Sequence, residues 1–157
     1  IEFGQQQGMS NLEKEYALNL QTSKNLNIDN LKCVLISHSH IDHISLIPSL
    51  YKRGYNGDVF GSYEALAFSE KLLEDCAFII DRNVQSFHKK GRKIEHIYKS
   101  EDVVACTNHM ISRDLNRVYK FDEYMIKAVT YICIDKNIFY VKINILWNYK
   151  KGIYFLF

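Results

Sequence analysis

The chain has 157 residues, of which 47% are apolar and 24% are charged, and its formal net charge is +2. This composition supports a hydrophobic core and excludes general disorder. The charge balance alone predicts neither a nucleic-acid nor a membrane partner. The sequence shows no uncharged apolar run of about 18 residues, and its first residues do not have the pattern of a secretory signal. We therefore expect a cytoplasmic protein without a membrane partner.

The first third of the chain alternates between helical and strand patterns. Residues 10–20 have helical spacing, with Ser10 as the predicted N-cap. Residues 33–36 form a short apolar run that is typical of a buried strand. Helical spacing returns at residues 44–52, where Pro48 is tolerated if it lies in the first turn.

The same alternation continues through the rest of the chain. The clearest helix is predicted at residues 65–84, where apolar side chains recur at helical spacing. Another helix is predicted at residues 100–109, with Ser100 as its cap. Further strands are predicted at 58–61, 118–121 and 126–132, and a polar loop at 88–93. This order of elements indicates an α/β layered domain.

A cluster of metal-binding residue types follows the first predicted strand, where residues 38–43 read HSHIDH. Side chains two residues apart share a face of extended backbone, so His38 and His40 can reach one ion. Asp42 and His43 come as the chain turns into the next helix, so they can face a second ion. Imidazole and carboxylate are ligands that zinc takes when one position stays open for water. A lone histidine is more often a surface residue, but this group of four favours a metal site.

The residues around this motif resemble a known family. Residues 33–43, CVLISHSHIDH, resemble the HxHxDH motif of the metallo-β-lactamase superfamily. Residues 44–57, ISLIPSLYKRGYNG, are similar to its β-CASP RNA-processing branch, and the stretches 73–75 and 98–103 also resemble that branch. The resemblance runs from residue 1 to about residue 128. It implies part of an αβ/βα sandwich, with a mixed sheet flanked by helices.

The resemblance also implies roles for the residues of the motif. His38 and His40 would bind a first zinc ion, and Asp42 and His43 a second. Asp42 would in addition orient the attacking water, which makes it the expected catalytic residue. The implied protein is an RNA-processing endo- or exonuclease that uses a zinc-bound hydroxide, with two Zn²⁺ ions in a complete family member and RNA as its partner.

The chain departs from the family pattern at several positions. Glu2 stands where the family usually has an aspartate that supports the metal site, next to Gly4, and Ser45 stands where many relatives have glycine. The family also needs a third histidine for the first metal, and a bridging aspartate and a histidine for the second. No histidine follows His109. We therefore expect an incomplete ligand set, the N-terminal part of such a domain.

The three later histidines do not match the turn that carries the third ligand in the family. We interpret them as surface residues. They are His88, His96 and His109.

The composition changes after about residue 130. Of the 27 residues from 131 to 157, 20 are Ile, Tyr, Phe, Lys or Asn. Such a mix is typical of AT-rich DNA read in a wrong frame, and a set of terminal strands is an equal alternative. We therefore divide the chain into residues 1–130, part of a metallo-β-lactamase-like domain, and residues 131–157, a divergent tail.

Two alternatives to a ribonuclease stay open. One is a hydrolase of the same fold that cuts a thioester, lactone or β-lactam, and the other is a non-catalytic remnant or interaction module. A basic stretch favours RNA because cations contact phosphates, although it is more often a solvated turn. Its members are Lys89, Lys90, Arg92 and Lys93. Exposed strand edges also predict self-association.

Overall fold

A small parallel sheet lies under the predicted metal motif. The computed structural model describes residues 3–114, 117–121, 124–133 and 138–148. The sheet consists of β1 (Val34–Leu35), β2 (Val59–Gly61) and β3 (Met110–Ser112), in the order β1-β2-β3 with both pairs parallel. Both residues of β1 are apolar and buried, which suits a strand that is covered on both faces. Two of these strands were predicted within a few residues, and β3, which begins directly after the helix predicted at 100–109, was not predicted.

A second sheet is antiparallel. It contains β4 (Val118–Phe121), β5 (Tyr124–Cys133) and β6 (Ile138–Asn148), paired in sequence order. β5 runs across the predicted domain boundary after residue 130, and its pairing with β6 extends to Cys133↔Ile138. The division of the chain at that residue stays a prediction. The predicted α/β class is confirmed, with parallel and antiparallel pairing each in its own sheet.

Five helices accompany these strands in the described ranges. They are α1 (Leu12–Asn25), α2 (Ile41–Ile44), α3 (Pro48–Lys52), α4 (Tyr63–Lys89) and α5 (Ser100–Thr107). No helix among the described residues is both long and apolar enough to cross a membrane.

Both predicted N-caps were wrong by one residue. The cap of α1 is Asn11, whose Oδ1 accepts a hydrogen bond from the Lys14 amide at 3.0 Å. Ser100 is the first residue of α5 rather than its cap, and the Asp102 carboxylate accepts from the Lys99 amide at 2.8 Å. Neighbouring polar residues compete for the cap position, so a sequence pattern locates it only to within a residue or two.

The bounds of all four predicted helices differ from the structure; α1 continues to Asn25 rather than residue 20, and α5 ends at Thr107 rather than residue 109. The stretch 44–52 forms parts of α2 and α3, and Pro48 begins α3 because proline lacks the N–H that an interior position needs. The helix predicted at 65–84 continues to Lys89, so His88 and Lys89 lie in its last turn and not in a loop.

The stretch directly after the histidine motif is deeply buried. Every residue from 44 to 50 is less than 2% exposed. Their apolar members belong to one core cluster with Val34 and Ile36 at β1, and with Leu73 and Ile80 on the buried face of α4. The motif is therefore attached to the core at both of its ends.

Candidate metal centre

The motif lies at the carboxyl end of β1 and opens α2. The Ile36 amide donates to the Phe60 carbonyl at 2.8 Å, which continues the ladder between β1 and β2 by one bond. After a bend at Ser37 the chain reaches His40, the N-cap of α2, which is extended with φ −66° and ψ 145°. The His40 carbonyl accepts from the amides of His43 and Ile44 at 2.9 and 3.2 Å. Asp42 and His43 are thereby placed on a single helical turn.

The four predicted ligands lie side by side. The His38 ring centroid is 4.6 Å from that of His40 and 4.1 Å from that of His43. Asp42 Oδ2 lies 3.3 Å from His43 Nε2, and the Asp42 and His43 side chains are 61% and 31% exposed. The group is thus open to solvent on the Asp42 side. The structure brings these residues together, and their role as ligands stays a prediction.

The donor chemistry of this group fits zinc, because it combines imidazole nitrogens with a carboxylate. Within the part of the chain that the structure describes, however, no three His, Cys, Asp or Glu side chains are arranged to hold one ion. The described residues therefore offer the donors of a metal site without a complete coordination sphere.

A hydroxyl beside the motif orients one imidazole. Ser37 Oγ lies 2.8 Å from His38 Nδ1. When Nδ1 carries the proton and donates it to Ser37 Oγ, Nε2 keeps a free electron pair for a metal. Sequence reasoning missed this contact, because a serine before a histidine has no distinguishing pattern.

The residues near the amino end of the chain pack directly on the motif. The Phe3 amide donates to the His43 carbonyl at 2.7 Å, and the Phe3 carbonyl accepts from the Leu46 amide at 3.0 Å. Gly4 lies so close that a Cβ built on it would be 2.0 Å from the carbonyl carbon of Asp42. Glu2, the predicted supporting carboxylate, lies outside the described residues.

The predicted RNA-contacting residues are all exposed. Lys89 ends α4, and Lys90, Arg92 and Lys93 follow it. Arg92 Nε lies 3.3 Å from a carboxylate oxygen of Glu13. The three lysines form no ion pair with another described residue. They are therefore available to an anionic partner.

The later histidines lie in three different surroundings. His88 is exposed, as predicted, whereas His96 and His109 are half-buried. His96 Nε2 lies 3.0 Å from Asp81 Oδ1. The His109 ring lies against Tyr51 with 5.2 Å between the ring centroids. These contacts account for both half-buried rings without a metal.

Comparisons with known proteins agree with the motif. The chain is 31% identical over 104 residues to cleavage and polyadenylation specificity factor subunit 3-II of Arabidopsis thaliana, which covers 64% of this chain and 16% of that protein. It is 35% identical over 77 residues to a ribonuclease of Thermus thermophilus, and this alignment covers 49% of this chain and 15% of the ribonuclease. It is 30% identical over 87 residues to a transcription termination factor of Methanocaldococcus jannaschii, and this alignment covers 55% of this chain and 12% of that factor.

The chain spans about a sixth or less of the length of these curated relatives. A sequence model described as the metallo-beta-lactamase superfamily matches residues 8–97, more than half of the chain and the whole histidine motif. The predicted family is confirmed, and the chain belongs to the metallo-beta-lactamase superfamily.

Proposed function

We propose that this chain carries the first set of metal ligands of a zinc-dependent hydrolase that cleaves RNA. The observation that carries the proposal is the contact of the His38 ring with the rings of both His40 and His43 at the carboxyl end of β1. RNA is favoured over a thioester or lactone because two of the similar proteins are named as a ribonuclease and as a cleavage and polyadenylation factor. The resemblance of residues 44–57 to the β-CASP RNA-processing branch also supports RNA as the substrate.

In this proposal His38 and His40 would hold one zinc ion, and Asp42 and His43 the other. Zinc supplies Lewis acidity, which lowers the pKa of a coordinated water to about 7. The Asp42 side chain is more exposed than that of His43, so its carboxylate can contact an attacking water and accept a proton from that water. Ser37 would keep the His38 ring oriented with Nε2 toward the ion.

The basic stretch supplies substrate contacts in the same proposal. Lys89, Lys90 and Lys93 are exposed and without an ion pair among the described residues, so no internal contact has to break before they meet a phosphate. Arg92 is held by Glu13 and would contribute less. Such contacts are electrostatic and independent of base sequence.

The proposal is tested by titrating zinc into the metal-stripped chain with calorimetry. We expect His40→Ala to lose zinc affinity by at least about 10- to 100-fold, because losing a residue that only supports a ligand already costs that much. His88→Ala is the matched control, because His88 is exposed and its Nε2 lies 2.8 Å from the Ile94 carbonyl, away from the predicted ligands. Equal zinc affinity in the unaltered chain and in His40→Ala would contradict the metal site.

The substrate is tested separately, with a single-stranded RNA and a thioester offered to the zinc-loaded chain. We expect slow cleavage of the RNA, because the described residues give an incomplete coordination sphere, no hydrolysis of the thioester, and loss of cleavage on chelation. Thioester hydrolysis alone would contradict the substrate assignment.

One observation favours a second candidate, a non-catalytic binding module. No three ligand-type side chains in the described ranges are arranged around one point. This candidate predicts that the zinc-loaded chain binds RNA and leaves it intact. The cleavage assay therefore separates the two candidates.

A further inference from the structure

A buried hydroxyl joins the amino end of the chain to the helix that carries Asp42 and His43. Ser45 is 0% exposed. Its Oγ accepts a hydrogen bond from the Gln5 amide at 2.9 Å and donates to the Ile41 carbonyl at 2.6 Å. Ile41 is the first residue of α2. The Ser45 side chain therefore connects the backbone of Gln5, 40 residues before it, to the backbone of Ile41.

Other contacts hold the same N-terminal segment, residues 3–6, in place. On one side the Phe3 backbone exchanges hydrogen bonds with His43 and Leu46. On the other, the buried amide of Asn19 pairs with Gln6, accepting from its N–H at 2.8 Å and donating to its carbonyl at 2.9 Å. The segment is thus fixed to α1 by Asn19 and to the metal motif by Ser45 and Phe3.

The helix α2 needs such support, because it has only four residues. A single helical turn fixes several backbone dihedrals for very few hydrogen bonds and is unstable by itself. Asp42 and His43 both lie on this turn, so its fluctuations move both side chains. The Ser45 amide already donates to the Ile41 carbonyl at 3.0 Å, and the Ser45 hydroxyl adds a second bond to that carbonyl. The bond from Gln5 attaches the turn to a second piece of chain.

We propose that Ser45 is a positioning residue, which couples the N-terminal segment to α2 and thereby orients Asp42 and His43. This inference rests on the proposed function, because it assigns these two side chains to a metal. Ser45 would act through the backbone and would not contact the ion or the substrate.

The test uses the whole chain with Ser45→Ala and a matched control, Ser49→Ala. Ser49 is 1% exposed and its Oγ donates to the Leu46 carbonyl at 2.6 Å, so both changes remove one hydroxyl from a similar setting. Asn19→Ala releases the N-terminal segment from the side that does not touch the motif. Two quantities are measured: zinc affinity by calorimetry, and amide hydrogen exchange of Gln5 and His43 in the metal-free chain by NMR.

We expect Ser45→Ala to speed exchange at both amides and to weaken zinc binding by about tenfold, as loss of a supporting contact typically does. Asn19→Ala should act in the same direction, and Ser49→Ala should change neither quantity. Exchange and affinity in Ser45→Ala equal to those in Ser49→Ala would overturn the proposal.

The two readouts also separate this proposal from the proposed function. If the unaltered chain binds no zinc, the proposed function fails, and hydrogen exchange alone decides the coupling. Faster exchange at the His43 amide in Ser45→Ala would then support the coupling, and unchanged exchange would overturn it.

Discussion

At the scale of single residues, the position of Gly4 beside the motif has no room for a side chain. A Cβ at this position would lie 2.0 Å from the carbonyl carbon of Asp42, 2.1 Å from its oxygen and 2.4 Å from the His43 nitrogen. All three are backbone atoms of the turn that carries the predicted ligands, so they cannot move aside as a flexible side chain would. Any side chain at Gly4 must displace either the N-terminal segment or α2.

We expect Gly4→Ala to destabilise the fold by about 1–3 kcal/mol or more, the cost of overpacking a buried contact. Gly8→Ala is the control, because Gly8 has φ +88° and, apart from its two chain neighbours, no described residue has an atom within 4 Å of its would-be Cβ. Its cost is conformational and amounts to about 1–2 kcal/mol. Urea denaturation followed by circular dichroism measures both, and a larger loss for Gly8→Ala would contradict the steric interpretation.

At the scale of secondary-structure elements, Tyr16 joins α1 to the segment that precedes α5. Its hydroxyl donates to the Glu95 carbonyl at 3.0 Å and accepts from the Ile97 amide at 3.1 Å. Burial raises the pKa of Tyr16 to about 12, so the hydroxyl stays neutral under ordinary conditions. The ring also packs edge-on against Phe87 of α4, with 5.4 Å between the ring centroids.

Tyr16→Phe should keep the ring packing and lose both hydrogen bonds. Because the Ile97 amide is then buried without a partner, we expect a loss of about 1–3 kcal/mol in the free energy of unfolding. Tyr63→Phe is the control, since Tyr63 is 72% exposed. Equal unfolding midpoints for the two variants would show that the hydroxyl of Tyr16 does not stabilise this junction.

The same segment is also held by an exposed ion pair that depends on pH. The hydrogen bond from the Lys24 ammonium lowers the pKa of the Glu95 carboxyl, and Lys52 Nζ lies 3.9 Å from its other oxygen. A carboxyl with a lowered pKa in the folded state stabilises the fold above its unfolded pKa of about 4.3. That stabilisation is lost as the pH falls through the folded pKa.

We expect Glu95→Gln to cost at most about 1 kcal/mol near neutral pH, because the pair is exposed and screened by salt. The difference between the variant and the unaltered chain should vanish below the folded pKa and shrink in high salt. Urea midpoints measured across the acid range check this, and a difference that persists in strong acid would contradict the ion-pair explanation.

At the scale of the whole molecule, a net charge of only +2 means that any attraction for RNA depends on where the cations lie. The three lysines of the basic stretch have no ion pair among the described residues, and replacing them should make the plot of log affinity against log salt less steep. The expected decrease in the magnitude of its slope is about 2, given about 0.7 per contact for single strands. The three lysines are Lys89, Lys90 and Lys93. The control replaces three other exposed lysines, Lys32, Lys71 and Lys99. Equal slopes for the two triple variants would exclude a specific basic footprint.

The order of strand, motif and helix could be predicted because its signals are local. The apolar run 33–36 and the spacing of residues 38–43 each reflect a backbone periodicity, which neighbouring residues reveal by themselves. Element bounds were less accurate: the capping residue of α1 is Asn11 rather than Ser10, and Pro48 separates two short helices. The first error arises because adjacent polar residues compete for the cap position, and the second because proline lacks the N–H that an interior helical position needs.

The sequence by itself determined the superfamily, the α/β class and the identity of the donor side chains that could meet a metal. Only the tertiary structure decided what holds those donors in place. Gly4 lies against Asp42, Gln5 binds Ser45, and Asn19 holds Gln6 from α1. These contacts join segments 13 to 40 residues apart. The physical reason is that close packing and single hydrogen bonds between distant segments leave no periodic pattern in either segment.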